Sequence, residues 1–132
     1  MKFQRGTDFP NEGFVQQAVE KYFRAQGFIG DTTTYADLIS SHPGSGEKWL
    51  VEAKGMTTSP GLDFKTGLGQ LLQRMGDERF KYAIAIPNVP GFIKQWNMIP
   101  RRVRNLLGLH VLLIEQDGSV RMLKPDENPP AS

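Results

Sequence analysis

Two opposite charges stand at the end of an apolar stretch and are the best candidates for chemistry in this chain. The stretch runs from Lys48 to Gly55 and reads KWLVEAKG, with the charges at Glu52 and Lys54. In an extended strand, side chains alternate between the two faces, so Glu52 and Lys54 share one face. Both faces also carry apolar residues, which is typical of a strand inside a sheet. Buried charges there would raise the free energy of the folded state unless they are paired or bound to a metal ion. The simpler alternative is a surface ion pair on an edge strand.

A helix upstream offers one further carboxylate. The sequence predicts this helix from Asn11 to about Gln26, with apolar residues at helical spacing and Gly27 at its end. Glu12, in the first turn, lies at the edge of the apolar stripe and is therefore the better candidate to face the interior. Stabilisation by the helix dipole is the alternative reason for a carboxylate at that position.

A predicted hairpin offers another carboxylate. Three β-prone segments follow the helix, at residues 28–34, 35–39 and 48–54. If the last two pair as a hairpin, Asp37 and Glu52 can lie side by side, and two adjacent carboxylates call for a cation. The alternative is that Asp37 only pairs with Lys54 or Lys48.

The second helix is predicted over residues 63–79 and contains two glycines, Gly67 and Gly69. Each glycine lowers helix stability by up to ~1 kcal/mol relative to alanine, so we expect a close approach by the sheet or a phosphate chain. A tight contact between helix and sheet is the simpler explanation. The predicted buried stripe is Phe64, Leu68, Leu71, Leu72 and Met75. The predicted solvent-facing side is Asp63, Gly67, Gln70 and Arg74.

The remaining elements complete an alternating pattern. They are predicted at 82–86, 91–97, 101–107, 110–115 and 120–123, with the third helix kinked or restarted at Pro100. The order α-β-β-β-α-β-α-β-β predicts an α/β fold with a central mixed β-sheet flanked by helices. In the second half of the third helix, Val103, Leu106 and Leu107 are predicted to face inward.

Composition limits the class of protein. The chain has 132 residues, 39% of them hydrophobic and 23% charged, which predicts one globular domain over residues 1–132 with flexible tails at 1–10 and 125–132. It has no cysteine, which excludes disulfides and thiolate metal sites and fits a cytoplasmic location. No apolar run approaches the roughly 20 residues that span a bilayer, so we expect no membrane partner.

Positive charge is concentrated in one region, although the formal net charge is only +2. The cluster consists of Lys94, Arg101, Arg102 and Arg104. Such a cluster can bind the phosphates of a nucleic acid, and Arg74 is a further candidate. A solvated helix face is the alternative. Trp96 is expected to pack in the core, with stacking on a base as the alternative.

The order and spacing of these residues resemble those of the PD-(D/E)xK nucleases, which have the restriction-endonuclease-like fold. Asp37 resembles the metal-binding aspartate of that family, Glu52 its second acidic ligand and Lys54 its lysine. Glu12 resembles the extra glutamate of many members, and Gln70 the glutamine on the helix after the lysine strand. The resemblance covers roughly residues 11–87. Within the family, the chain is similar to small Holliday-junction resolvases and Mrr-like nucleases. Two positions depart from it, because position 36 is Ala instead of Pro and position 74 is Arg where a Gln-x-x-x-Tyr signature has Tyr.

The resemblance implies a Mg²⁺-dependent nuclease that hydrolyses phosphodiester bonds in duplex, junction or flap DNA. Mg²⁺, or Mn²⁺ in its place, would be held by Asp37, Glu52 and the backbone carbonyl of Ala53. Lys54 would orient the attacking water and offset phosphate charge, and Glu12 and Gln70 would assist. A homodimer is plausible because a double-strand cut needs two sites. The alternatives are a catalytically inactive nucleic-acid-binding module of the same fold and a protein-interaction domain whose charges are structural.

Overall fold

A six-stranded sheet carries helices on both of its faces in the computed structural model, which describes residues 6–32, 37–57 and 59–130. The helices are α1 (Glu12–Ala25), α2 (Pro60–Leu72), α3 (Pro90–Met98) and α4 (Arg101–Leu107). The strands are β1 (Ile29–Thr32), β2 (Asp37–Ser41), β3 (Lys48–Ala53), β4 (Phe80–Pro87), β5 (Leu109–Ile114) and β6 (Val120–Leu123). The predicted α/β fold with a mixed sheet is confirmed, and Pro100 divides the predicted third helix into α3 and α4. The predicted strand residues 33–36 lie outside the described part of the chain.

The strands lie in the sheet in the same order as in the sequence, from β1 to β6. The pairs β1–β2, β2–β3 and β5–β6 are antiparallel, whereas β3–β4 and β4–β5 are parallel. Parallel neighbours need a crossover connection, and α2 supplies one while α3 and α4 together supply the other. The carboxyl ends of β3 and β4 therefore lie at one edge of the sheet, close to the segments that lead into α2 and α3.

The sheet separates two hydrophobic clusters. Alternate residues of β3 and β4 contribute to each cluster, as the period of an extended chain requires. Val51 and Ala83 pack on the side that α1 covers. Leu50 and Ile84 pack on the opposite side, against buried residues of α2 and α3. Glu52 follows Leu50 in the alternation and lies on the α2 side.

Local chemistry sets the helix ends. Gly27 and Gly108 follow α1 and α4 with φ angles of 90° and 63°, a conformation that favours glycine. Ser59 caps α2 by accepting a hydrogen bond from the Leu62 N–H. Asn11 is the N-cap residue of α1, as predicted, but its side chain makes no capping bond. The N–H of Gly13 donates instead to the carbonyl of Gly6, so residues before the helix take part in capping it.

The second helix ends earlier than the sequence predicts. It stops at Leu72 instead of continuing to Arg79, and Leu72 is exposed instead of belonging to the buried stripe. A turn centred on Asp77 replaces the predicted last turns of the helix. The Asp77 carboxylate accepts hydrogen bonds from the N–H and guanidinium of Arg79, and its N–H donates to the Tyr82 hydroxyl. This turn redirects the chain into β4.

The fourth helix presents a different face to the core from the predicted one. Val103 and Leu106 are exposed, with Leu106 71% exposed, whereas Arg104 is only 2% exposed. Leu107 is partly buried against the α2-side cluster. The predicted buried face is wrong because α4 has only seven residues. In so short a helix, contact with one distant segment outweighs the spacing of the apolar residues.

That partner is the segment after β6. The carbonyl of Glu127 accepts hydrogen bonds from the Trp96 indole N–H and from Arg104 Nη1, each at 3.2 Å. Arg104 Nη2 donates to Asn128 Oδ1 at 2.9 Å, and the guanidinium lies over the buried Trp96 ring at 4.6 Å. Burial lowers the pKa of the Arg104 guanidinium, and the neighbouring charge of Arg101 adds to the effect. These contacts attach the segment around Glu127 to α3 and α4.

Candidate active site at the end of β3

The β2–β3 hairpin brings the two predicted ligand positions together in the sheet. Asp37 and Glu52 are paired across the antiparallel ladder, as the sequence predicts. Residues paired in this way have Cα atoms about 4.5–5.5 Å apart. The Glu52 side chain is 1% exposed, although it belongs to a charged residue type. A carboxylate this deeply buried needs compensating charge or hydrogen bonds.

Lys54 follows β3 directly, and its side chain meets the first helix. The Lys54 N–H donates to the carbonyl of Ala85 at 2.9 Å, which continues the pairing with β4 by one residue. Lys54 Nζ lies 3.6 Å from Glu12 Oε1, and the two side chains are 17% and 13% exposed. This ion pair places the predicted carboxylate of α1 beside the predicted lysine.

A close backbone contact explains why α1 reaches the end of β3. A Cβ built on Gly55 would overlap the backbone nitrogen of Glu12, so only a residue without a side chain fits there. The next residue, Met56, donates its N–H to the carbonyl of Pro10 at 2.9 Å. The chain after β3 thus packs directly on the start of α1. No signal in one sequence identifies Gly55, because it looks like any glycine of a loop.

The side of α2 that carries Gly67 and Gln70 faces the site, whereas the sequence predicts that it faces solvent. Gly67 is buried, and a Cβ built on it would overlap Lys54 Cγ. Gln70 lies three residues further along the same helix face and is partly buried. Its Oε1 atom is buried and has no hydrogen-bond partner among the described residues. The glycine in the helix was the correct signal of a close approach, and the approaching group is the lysine side chain.

Other polar groups fix the loop between β3 and α2 and the end of α2. Asp63 accepts hydrogen bonds from the N–H and hydroxyl of Thr57, at 2.8 Å and 2.6 Å. Arg74 is partly buried, and its Nη1 donates to the carbonyl of Gln70 at 2.9 Å. Arg74 is therefore attached to the helix that carries Gln70.

The predicted basic cluster separates into two groups. Lys94, Arg101 and Arg102 are exposed on α3 and α4. The sequence groups Arg104 with them, but the structure buries Arg104 against Trp96 and the segment around Glu127. Arg104 therefore cannot present its charge to a phosphate on the surface, and its role is structural. Trp96 is fully buried, so it packs in the core as expected.

Across the described part of the chain, no three His, Cys, Asp or Glu side chains form a group that could hold a metal ion. The predicted ligand set includes Asp37, whose position is given by its backbone pairing with Glu52. Within the same residues, no helix is both long and apolar enough to cross a membrane.

Comparison with known proteins shows a likeness of fold. A crystal structure of an XisH family protein from Nostoc punctiforme PCC 73102 superimposes with a TM-score of 0.58. The match covers 81% of this chain and 95% of that protein, at 16% sequence identity. No protein-family model matches the sequence, and no curated protein matches it either. At this identity the likeness supports the architecture and says nothing about the reaction.

Proposed function

We propose that this protein is a Mg²⁺-dependent nuclease that hydrolyses phosphodiester bonds in DNA. The observation that carries the proposal is the meeting of Lys54 and Glu12 at 3.6 Å at the end of the strand that bears the buried Glu52. Glu52 is paired in the sheet with Asp37. Carboxylates that can hold a divalent cation and a lysine that can offset phosphate charge, supplied by separate elements, suit metal-assisted phosphodiester hydrolysis.

The donor chemistry fits a hard divalent cation. Asp37 and Glu52 supply carboxylate oxygens and Ala53 a backbone carbonyl, which are the ligand types that Mg²⁺ prefers. The buried Oε1 atom of Gln70, without a hydrogen-bond partner in the described chain, offers one more oxygen on the helix that faces the site. A bound divalent cation supplies stabilisation of negative charge on the phosphate and makes water a stronger nucleophile at neutral pH.

The side chains around the cation have separate roles in this proposal. Lys54 Nζ is within ion-pair distance of Glu12 but beyond the usual length of a hydrogen bond. The ammonium can therefore turn toward a phosphate oxygen or a water molecule without breaking a short bond. Glu12 holds the ammonium before the substrate binds and can accept a hydrogen bond from a water molecule afterwards. Gln70 orients that water or the phosphate through its amide group.

Binding of the DNA backbone is assigned to the exposed cations of α3 and α4. Lys94, Arg101 and Arg102 are available to phosphates, and loss of each contact should reduce the salt dependence of binding by about 0.9 in a plot of log K against log salt. A chain with one such site needs a second copy to cut both strands of a duplex. A homodimer therefore belongs to the proposal, and sedimentation in the presence of DNA tests it.

Cleavage of labelled linear, nicked, flapped and four-way DNA with Mg²⁺ or Mn²⁺ tests the activity. We expect Lys54→Met to reduce cleavage by about 100-fold or more, because it keeps the unbranched chain as far as the ε position and removes the ammonium. Lys65→Met is the matched control, since Lys65 is exposed on α2 and should not affect the rate. Glu12→Gln is compared in the same way with Glu20→Gln on the same helix.

The alternative function, an inactive DNA-binding module, predicts a different set of results. Such a module would bind DNA in a salt-dependent way, cleave none of these substrates and show no heat of Mg²⁺ binding that Glu52→Gln removes. Equal cleavage by the wild type and Lys54→Met would contradict the assignment of the site.

A further inference from the structure

We infer that Gly67 is a positioning residue for Lys54 and determines where the Lys54 ammonium lies in the site. A Cβ built on Gly67 would overlap Lys54 Cγ and lie 3.3 Å from Cδ and 3.4 Å from Cε. The aliphatic part of the lysine therefore lies along the backbone of α2 in space that any other residue would fill. The consequence for catalysis rests on the proposed function, whereas the positioning itself does not.

The lysine cannot avoid an added methyl group by a small movement. Cγ is only one torsion from the backbone, so its position is fixed by χ1, which occupies discrete staggered wells. The backbone of Lys54 is held by the hydrogen bond from its N–H to the Ala85 carbonyl, at 2.9 Å. The following residue, Gly55, is packed against the backbone of Glu12. An alanine at position 67 must therefore change the χ1 rotamer of Lys54 or displace α2.

The change of rotamer moves the ammonium relative to its carboxylate partner, whereas the displacement of α2 removes the helix backbone along which the stem of Lys54 lies. Lys54 Nζ lies at the far end of the side chain, so a change in χ1 moves it further than any other atom of the residue. The separation of 3.6 Å between Lys54 Nζ and Glu12 Oε1 therefore depends on the contact with Gly67 as well as on the attraction between the two charges. This explains why α2 accepts a glycine at an interior position where alanine favours the helix.

A second glycine in the same helix provides a matched control. A Cβ built on Gly69 meets no atom within 4 Å, and the residue is exposed. Gly67→Ala and Gly69→Ala make the same chemical change two positions apart in α2, and only the first changes the space beside Lys54. The difference between the two variants isolates the contact from the general effect of alanine on the helix.

NMR of ¹³C-lysine-labelled protein tests the positioning without any assay of activity. The Lys54 Hε–Cε signal is assigned by its absence in Lys54→Met. We expect Glu12→Gln to shift this signal in the wild-type and Gly69→Ala backgrounds and to leave it unchanged in Gly67→Ala, where the pair is already separated. A Lys54 signal that Gly67→Ala does not move, with the same response to Glu12→Gln, would overturn the inference.

A double variant covers the case in which Gly67→Ala does not fold. Lys54→Ala removes the side-chain atoms that the new methyl group would overlap, so Gly67→Ala with Lys54→Ala should melt at the temperature of Lys54→Ala or above it. If the double variant is as unfolded as Gly67→Ala alone, the close contact lies elsewhere and the inference is wrong.

The catalytic consequence is measured separately. A displaced catalytic group reduces the rate by about 100-fold, so Gly67→Ala should lose kcat to that extent with little change in KM, while Gly69→Ala keeps the wild-type rate. Wild-type cleavage by Gly67→Ala, with the Lys54 signal displaced, would overturn the catalytic part. If the wild-type protein cleaves no DNA, the proposed function fails, and the NMR comparison still decides whether Gly67 positions Lys54.

Discussion

The buried arginine of α4 gives a prediction that separates structural charges from those proposed to bind DNA. Arg104→Ala removes the guanidinium that donates to the Glu127 carbonyl at 3.2 Å and to Asn128 Oδ1 at 2.9 Å. It also removes the stacking of that group at 4.6 Å over the Trp96 ring. Of these two side-chain donors, the Glu127 carbonyl then keeps the Trp96 indole N–H.

The magnitude follows from these contacts. Hydrogen bonds from a charged donor stabilise by about 1.5–3 kcal/mol each. A desolvated cation over an aromatic ring contributes about 2 kcal/mol. The desolvation of the guanidinium offsets several kcal/mol of that sum. We therefore expect Arg104→Ala to lower the free energy of unfolding by about 3 kcal/mol, which for a domain of this size corresponds to roughly 10 °C in Tm.

Urea unfolding followed by circular dichroism measures this loss, with Arg101→Ala as the matched control on the same helix. Arg101 is exposed, so its replacement should change stability by no more than about 0.5 kcal/mol. DNA binding should respond in the opposite way, with Arg101→Ala weakening it and Arg104→Ala leaving it intact under conditions where the variant is folded. A stability of Arg104→Ala equal to that of Arg101→Ala would refute the structural role of the buried arginine.

Three other predictions concern single residues. Hydrogen bonds from Arg79 lower the pKa of Asp77 from its ordinary value of 3.8 to about 2. Its stabilising effect should therefore be complete above pH 3.8 and be lost as the pH falls through 2, and Asp77→Asn should abolish that part of the acid dependence of Tm. Burial lowers the pKa of His110, so an NMR titration should find its midpoint below 6.5, and stability should decline as the pH falls below 6.5 in the wild type but not in His110→Gln. Gly69→Ala should raise the free energy of unfolding in urea by up to about 1 kcal/mol, because its Cβ enters open space; a destabilised variant would contradict that geometry.

Local patterns in the sequence predict much of this fold. The apolar spacing in α1, the glycines that follow α1 and α4, and the alternation in β3 each depend on neighbouring residues alone. The hairpin of β2 and β3 also follows from short-range signals, and with it the pairing of Asp37 with Glu52. That pairing could be predicted because hairpin register and the period of an extended strand leave few alternatives.

Contacts between distant segments could not be predicted. The sequence predicts Arg104 to be an exposed cation. Its hydrogen-bond acceptors lie around Glu127, in a segment that has no apolar pattern to predict its position. The sequence predicts Gln70 and Gly67 on the solvent side, but the partner on that face is a lysine, whose long side chain buries its stem while its charge stays near a carboxylate. Gly55 gave no signal, because the reason for a glycine there is the start of α1, which is far away in the sequence.

The proposed nuclease activity is tested most directly by single-turnover cleavage of end-labelled four-way and duplex DNA with Mg²⁺ by the wild type and Glu52→Gln. Glu52→Gln keeps the size of the buried side chain and removes its charge, and its fold can be checked by circular dichroism. We expect metal-dependent cleavage by the wild type and none by Glu52→Gln. Undiminished cleavage by Glu52→Gln, or no cleavage of any DNA by the wild type with Mg²⁺ or Mn²⁺, would contradict the proposed function.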